Sequence, residues 1–322
     1  MESFEYKSFL QRRKMTLTEL KKYYLDKRHY EYEQGIPLKN FTTRKIIHPF
    51  PLAAITLSRI SEGQQITIID DKRTKTNSPI IYASAHCHPE DPAIAFEVIK
   101  KHAYLFLGDP EDVYQKIEGI LLDMNGVIYV ETRAKQTFID ELIKEGLIKP
   151  EEAESYKELI KQDRKIAYQR AVEVLKSNTD LLIFPEGAVN LTPNLPVMKL
   201  FPGTVKMALE TGAEIIPIAL ERYGKQIYAN VGENIKVTDR GATSVQYYNE
   251  QLRDTLATLK WEIWEYMGQT PRFLCPTEEE FIKGIMETSD FIYSVEDVYE
   301  TMYKDKNITT PEEVFTLKKS IK

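Results

Sequence analysis

Cysteine is nearly absent: Cys87 and Cys275 are the only two in 322 residues, so no disulfide framework holds the chain and a reducing cytoplasm is its expected setting. Fourteen glycines and sixteen prolines are too few for a collagen-like or low-complexity architecture. Long hydrophobic runs are missing as well. The longest apolar stretches, Ile215 to Leu220 and Pro51 to Leu57, fall far short of the roughly 20 residues that cross a bilayer. The opening residues, MESFEYKSFLQRRK, alternate charge with aromatics and lack an apolar signal core, so no secretory signal is expected. These absences argue against a transmembrane enzyme, a secreted mini-domain and a disordered tail. What is present, 42% hydrophobic and 29% charged residues, describes a folded chain of one large α/β domain with appendages, or of two domains.

Charge is unevenly spread. Residues 1–50 carry eleven Lys or Arg against six acids, a net of +5, which leaves −11 of the total −6 to residues 51–322. An acidic bulk argues against nucleic acid as a partner, because binding a phosphate backbone needs clustered cations. In the basic segment, Phe4, Tyr6, Phe9, Leu10, Leu17, Leu20, Tyr23, Tyr24 and Leu25 recur at helical spacing, with Arg12, Arg13, Lys14, Lys21 and Lys22 between them. Two readings follow: a helical hairpin that packs its apolar stripe on the main domain, or peripheral contact with an anionic membrane face. The second is carried forward as an expectation, with a cytoplasmic location.

From residue 51 the pattern alternates. Ala54 to Ile60 and Gln65 to Ile69 read as a hairpin around Ser61-Glu62-Gly63, and Pro79 to Ser84 as a buried strand. Pro92 to Lys101 reads as a helix, Ala103 to Leu107 as a strand, and Gly119 to Val130 as one or two more. Phe138 to Lys176 is long, charged and helical, broken near Gly146 and Pro150. Asp180 to Phe184 is a strand, Gly203 to Thr211 a helix, Glu214 to Leu220 and Gln226 to Val231 strands, and Ser244 to Met267 a helix. Short helices follow, broken at Pro276 and Pro311. The alternation predicts an α/β fold, a mostly parallel mixed sheet flanked by helices. The expected organisation is a helical N-terminal cap (1–50), an α/β domain (51–242) and a helical C-terminal extension (243–322). Functional loops in such a sheet gather at the carboxyl ends of the strands.

Two such loops carry chemistry. The strand PIIYAS runs into Ala85-His86-Cys87-His88-Pro89-Glu90-Asp91-Pro92. On a continuous helix His86 and Asp91 would point about 140° apart, so they meet only if the chain turns, which Pro89 encourages. Asp91 before Pro92 reads as an N-cap and first helical residue, its carboxylate facing back toward the imidazole. A His steadied by a carboxylate is a general base poised near neutral pH. Composition alone gives a His-x4-Asp spacing roughly 0.2 times in such a chain, so the pair by itself is a weak signal. His86 and His88 also form a His-x-His pair open to metal, and Cys87 between them opens a Cys-His nucleophile reading. The second loop is Phe184-Pro185-Glu186-Gly187, expected by chance roughly 0.003 times. It ends a buried strand in a Pro-braced turn, where Glu186 is a candidate for hydrogen-bonding acceptor hydroxyls and Gly187 lets backbone approach a ligand.

His86-x4-Asp91, then Phe184-Pro185-Glu186-Gly187, Phe201-Pro202-Gly203-Thr204 and Ile215-Ile216-Pro217-Ile218, resembles in order and context the glycerolipid acyltransferase family, of the 1-acyl-glycerol-3-phosphate acyltransferase type. The resemblance covers about residues 50–235. It implies acyl transfer from an acyl thioester (acyl-CoA or acyl carrier protein) to a hydroxyl of a glycerol-phosphate-like acceptor, with no cofactor and no metal. It also implies His86 as base, Asp91 as its orienter, and backbone amides of the motif loops as donors to the oxyanion. Gly126-Val127-Ile128-Tyr129-Val130-Glu131-Thr132-Arg133 resembles the family's second block, which makes Arg133 a phosphate-binding candidate beside Glu186, Gly187 and Lys199. Departures are Ala85 where the family has Asn, and Val189 where it has a second Arg. A non-catalytic lipid-binding protein on the same fold, and a metal-dependent hydrolase using His86, His88 and Asp91, stand as the alternatives.

Overall fold

The computed structural model describes residues 12, 14–29, 46, 48–88, 90–107, 125–130, 136–144, 146, 148–187, 189, 190 and 196–268. The expected helices broken at Pro276 and Pro311 lie outside them, as does most of Gly119 to Val130. The fold is α/β, with seven strands among the described residues in one mixed, mostly parallel sheet. The chain divides into two compact units, Met1–Ala53 with His102–Leu181, and Ala54–Lys101 with Leu182–Lys322. No helix among the described residues is long and apolar enough to cross a membrane.

In the first unit, helix α1 (Leu17–His29) starts at a reciprocal cap: the Thr16 amide donates to Glu19 Oε2 at 2.7 Å and the Glu19 amide to Thr16 Oγ1 at 3.3 Å. Its stripe of Leu17, Leu20, Tyr23 and Tyr24 is buried against Ile139, Leu142, Ile148, Tyr156, Leu159 and Ile160. Lys27 closes the same face through a buried ion pair with Asp163 at 3.2 Å. Helix α1 therefore spends most of its apolar residues on protein packing, leaving Leu25 exposed. Phe4, Tyr6, Phe9 and Leu10 lie outside the described residues. Strands β3 (Ala103–Leu107) and β4 (Val127–Tyr129) pair in parallel, and the unit also holds α4 (Gln136–Lys144) and α5 (Ala153–Lys176). At its end begins β5 (Asp180–Ile183), buried along its length.

The structure departs from expectation where the chain passes from the first unit to the second. Residues 49–61 form a helix, α2 (Pro49–Ser61), rather than the first arm of a hairpin. Prolines in a first helical turn forfeit no hydrogen bond, and the apolar run lacks the alternation of a half-buried strand. Ser61-Glu62-Gly63 is its C-cap. Gly63, at φ 75°, donates to the Ile60 carbonyl, and Gln64 donates to that of Arg59, which is the Schellman pattern. Strand β1 (Gln65–Asp71) pairs in parallel with β7 (Gln226–Val231), β7 pairs antiparallel with β6 (Glu214–Tyr223), and β6 pairs in parallel with β2 (Ile80–Ser84). Helix α3 (Asp91–Ile99) follows β2, α6 (Gly203–Thr211) precedes β6, and α7 (Ser244–Met267) packs Leu259 and Ile263 on Ala219.

Candidate active site

The residues that matter belong to the second unit and gather where β2 and β6 end. β2 is buried throughout, and the Ala85 amide continues its pairing by donating to the Ile218 carbonyl at 2.9 Å. The chain then turns and brings His86 and Asp91 together, with Nδ1 of His86 2.9 Å from Asp91 Oδ2. Asp91 is not the N-cap expected of it. Glu90 holds that position, and Asp91, as first residue of α3, turns its carboxylate back onto the loop. The same Oδ2 accepts the amides of Cys87 at 2.6 Å and His88 at 2.8 Å. One carboxylate thus organises the loop and fixes the imidazole: Nδ1 donates to it, and Nε2 has no partner among the described residues. Burial alone would raise the Asp91 carboxyl, but the bonds and charge of His86 and His88 outweigh it and hold the group below its usual range.

The Phe-Pro-Glu-Gly turn comes to the same place. The Phe184 ring lies against the His86 imidazole, centroids 4.4 Å apart. Glu186 Oε1 accepts the His86 amide at 2.9 Å and Oε2 the Met198 amide at 2.7 Å. Glu186 is buried and braces the two loops through both its oxygens. Burial pushes its carboxyl up, while those amides and the Lys260 charge pull it part of the way back. Gly187 is required twice: its φ is 70°, and a Cβ there would stand 2.6 Å from the Phe201 ring. The Asn190 amide donates to the His86 carbonyl at 2.7 Å.

Lys199 is exposed, next in the chain to Met198, and Arg133 lies outside the described residues. The backbone donors expected for an oxyanion are not those of the first loop, because the amides of His86, Cys87 and His88 are all committed to carboxylates. Cys87 is buried, its thiol donating to the Leu220 carbonyl at 3.4 Å. His88 turns away from His86 and meets Arg222, whose Nη1 lies 3.1 Å from its Nδ1. Burial first, then the Arg222 charge, lowers the His88 pKa to about 4, so its ring is neutral at physiological pH. Among the described residues no group of three or more His, Cys, Asp or Glu is arranged to hold a metal ion. Sequence reasoning missed Phe184, Asn190 and Arg222 as neighbours of the histidine loop. Only Arg222 carried a signal, a cation two residues past the apolar run of β6.

A carboxylate-steadied imidazole with one nitrogen open thus stands at the end of a buried strand. Residues 65–221 match the family model described as Acyltransferase. The chain thus contains an acyltransferase domain over those residues. It is 24% identical over 218 residues to the 1-acyl-sn-glycerol-3-phosphate acyltransferase of Borreliella burgdorferi, covering 64% of this chain and 73% of that protein. Among solved structures it is similar to the 1-acyl-sn-glycerophosphate acyltransferase PlsC from Thermotoga maritima, with 13% identity, a TM-score of 0.46, and coverage of 74% of this chain and 92% of that one.

Proposed function

We propose that the chain moves a fatty acyl group from an acyl thioester, acyl-CoA or acyl carrier protein, to a free hydroxyl of a lysophosphatidate-like acceptor, with His86 as general base. The observation that carries this is the 2.9 Å bond from His86 Nδ1 to Asp91, which leaves Nε2 as the open acceptor. The hydroxyl proton passes to Nε2 as the oxygen attacks the thioester carbonyl. The tetrahedral intermediate then collapses, the C–S bond breaks, and the thiolate takes the proton from the imidazolium. The products are an ester and a thiol, with no covalent acyl-enzyme and no cofactor. The Asp91 carboxylate orients the ring and stabilises its charged form without itself taking the proton. His86→Ala should lose about 10³-fold in thiol release from acyl-CoA with acceptor present, while its far-UV circular dichroism stays native. Thiol release by that variant at the wild-type rate would end the proposal.

The acceptor and product of such a reaction live in a bilayer, and α2 offers a face to meet one. Phe50, Leu57 and Ile60 are 66%, 67% and 56% exposed, and with exposed Ala53 they recur at three- and four-residue steps along one side. Ile46 continues the line, and Arg44 and Lys45 precede it in the chain. This stripe takes the membrane role that the α1 stripe, buried in the first unit, does not offer. Substituting Phe50 and Leu57 with Ser should abolish flotation with anionic vesicles and leave turnover of a short-chain, water-soluble acceptor intact. Unchanged flotation would remove α2 from that role.

A further inference from the structure

We propose that Arg222 is the residue that grips the phosphate monoester of the acceptor, and that Glu90 holds its place until the acceptor arrives. This rests on the acyl-transfer reading above and adds a residue to the same centre.

The argument starts from strand alternation. On β6, Ala219 packs on α7, and Glu221 accepts the Trp264 indole N–H at 2.7 Å and lies 3.4 Å from Lys260. Arg222 is the next residue, so its side chain leaves the other face. That is the face of the histidine loop: β2 ends at Ser84, opposite Ile218, while β6 runs on in parallel to Tyr223 and so carries Arg222 alongside the loop that follows β2. The guanidinium bonds to the loop at two residues. Nη1 reaches His88 Nδ1 at 3.1 Å and also donates to Glu90 Oε2. Nε donates to the Gly224 carbonyl at 3.0 Å, which fixes the plane of the group.

Its partners have unequal holds. His88 is buried and neutral, so it steadies the guanidinium without competing for an anion or adding a repelling charge. Glu90 is different. Its side chain is 43% exposed, and the same Oε2 already has a second donor, Gln64 Nε2 at 3.3 Å. A half-exposed ion pair is weakly held, and this carboxylate can release the arginine while keeping Gln64. A phosphate dianion carries more charge and matches the guanidinium fork with two oxygens, so it displaces a single carboxylate oxygen. From Gly187 to Met198 the chain has no Lys or Arg, so Lys199 is the one basic residue in the loop between β5 and α6, and Arg222 is a cation bonded to the histidine loop.

The test compares two acceptors of equal chain length, lysophosphatidate and the uncharged monoacylglycerol, with acyl-CoA as donor. Arg222→Met should raise KM for lysophosphatidate about 10- to 100-fold with kcat little changed. It should leave KM for monoacylglycerol and for acyl-CoA as in the wild type. Arg222→Lys should fall between, and Glu90→Gln, which frees the arginine, should lower KM for lysophosphatidate several-fold. A wild-type KM for lysophosphatidate in Arg222→Met overturns the inference, as does an equal rise for both acceptors, the mark of a structural role. A rise confined to acyl-CoA overturns it too, by giving the arginine to the donor's phosphates. If Arg222→Met does not fold, Arg222→Lys and Glu90→Gln decide: a lysophosphatidate KM unmoved in both overturns the inference. Wild-type protein that acylates neither acceptor sinks the acyl-transfer reading and this inference together, whereas wild-type transfer with an unmoved KM in the variants sinks this inference alone.

Discussion

Replacing Asp91 with Asn changes almost no volume and removes one charge, so its effect can be worked out group by group. The wild-type Oδ2 accepts three donors: His86 Nδ1, the Cys87 amide and the His88 amide. All three share that one oxygen, so an Asn oxygen in its place keeps the three bonds as neutral ones and puts the NH2 where Oδ1 stood, near the Cys87 thiol. What is lost is the negative charge beside the ring, which under the proposed mechanism stabilises the imidazolium formed when Nε2 takes the hydroxyl proton. That loss should cost about 10²-fold in kcat, near 3 kcal/mol of transition-state stabilisation. Three charge-assisted bonds become neutral at about 1 kcal/mol each, so about 3 kcal/mol of stability is lost, a fall in Tm of about 5 °C for a chain of this size. The pH dependence gives an independent check. The Asp91 carboxyl lies below its unfolded value, so its stabilisation is present above the ordinary carboxylate pKa and lost as pH falls through the lower folded one. The variant should therefore show a shallower acid loss of stability below about pH 4 than the wild type. The assay is thiol release under saturating acyl-CoA and acceptor, beside thermal melts from pH 3 to 7. More than a tenth of wild-type kcat in a folded Asp91→Asn protein would refute the assignment of Asp91 as the group whose charge stabilises the protonated His86 ring.

Glu186→Gln should act on kcat and stability rather than on acceptor KM, because its NH2 must face one of the two backbone N–H groups that Glu186 now accepts, at a cost of about 1–3 kcal/mol. A change confined to acceptor KM would return Glu186 to direct acceptor binding. The raised Glu186 pKa has the opposite sign to that of Asp91: its contribution is greatest below the unfolded value and is lost as pH rises through the folded one, so the Gln variant should lose less stability than the wild type over that rise. His88 is lowered to about 4, so stability should fall as pH drops from about 6.5 toward 4, by about 3 kcal/mol, as the unfolded chain takes up a proton that the buried ring refuses. The groups facing it are Arg222, Asp91, Glu90 and His86. His88→Gln should flatten that slope, and equal slopes in urea melts of the two proteins would contradict the assignment.

Much of the fold was legible because its signals are local. Gly203–Thr211, Gln226–Val231 and Ser244–Met267 have the bounds that periodicity and glycine punctuation set. The failure at residues 54–60 has a definite cause: a run exposing Leu57 and Ile60 while burying Ile55 is apolar on both sides, and composition alone does not separate helix from strand there. The Ser61-Glu62-Gly63 signal was sound as a chain reversal, but a glycine at left-handed φ ends a helix as readily as it turns a hairpin. At the site, the partnership of His86 with Asp91 was legible because it spans five residues. The grip of Glu186 on the His86 amide spans 100 residues and that of Arg222 on Glu90 spans 132, and neither leaves a pattern in a single sequence.

The strongest argument that His86 does more than fill a turn is how thoroughly it is held. Asp91 fixes the ring through Nδ1, and Phe184 fixes the ring plane. Glu186 accepts its amide, and the Asn190 amide donates to its carbonyl. These constraints come from three stretches of chain, two of them about 100 residues away in sequence, and two of them use carboxylates whose burial opposes their charge. A histidine packed only for volume needs none of them, since its backbone groups could pair within its own loop at no desolvation cost. Of the polar atoms of His86 itself, Nε2 is the one without a partner among the described residues. Two buried acids that aim one nitrogen and leave it open support the proposed role of His86, the presentation of a lone pair to a substrate proton.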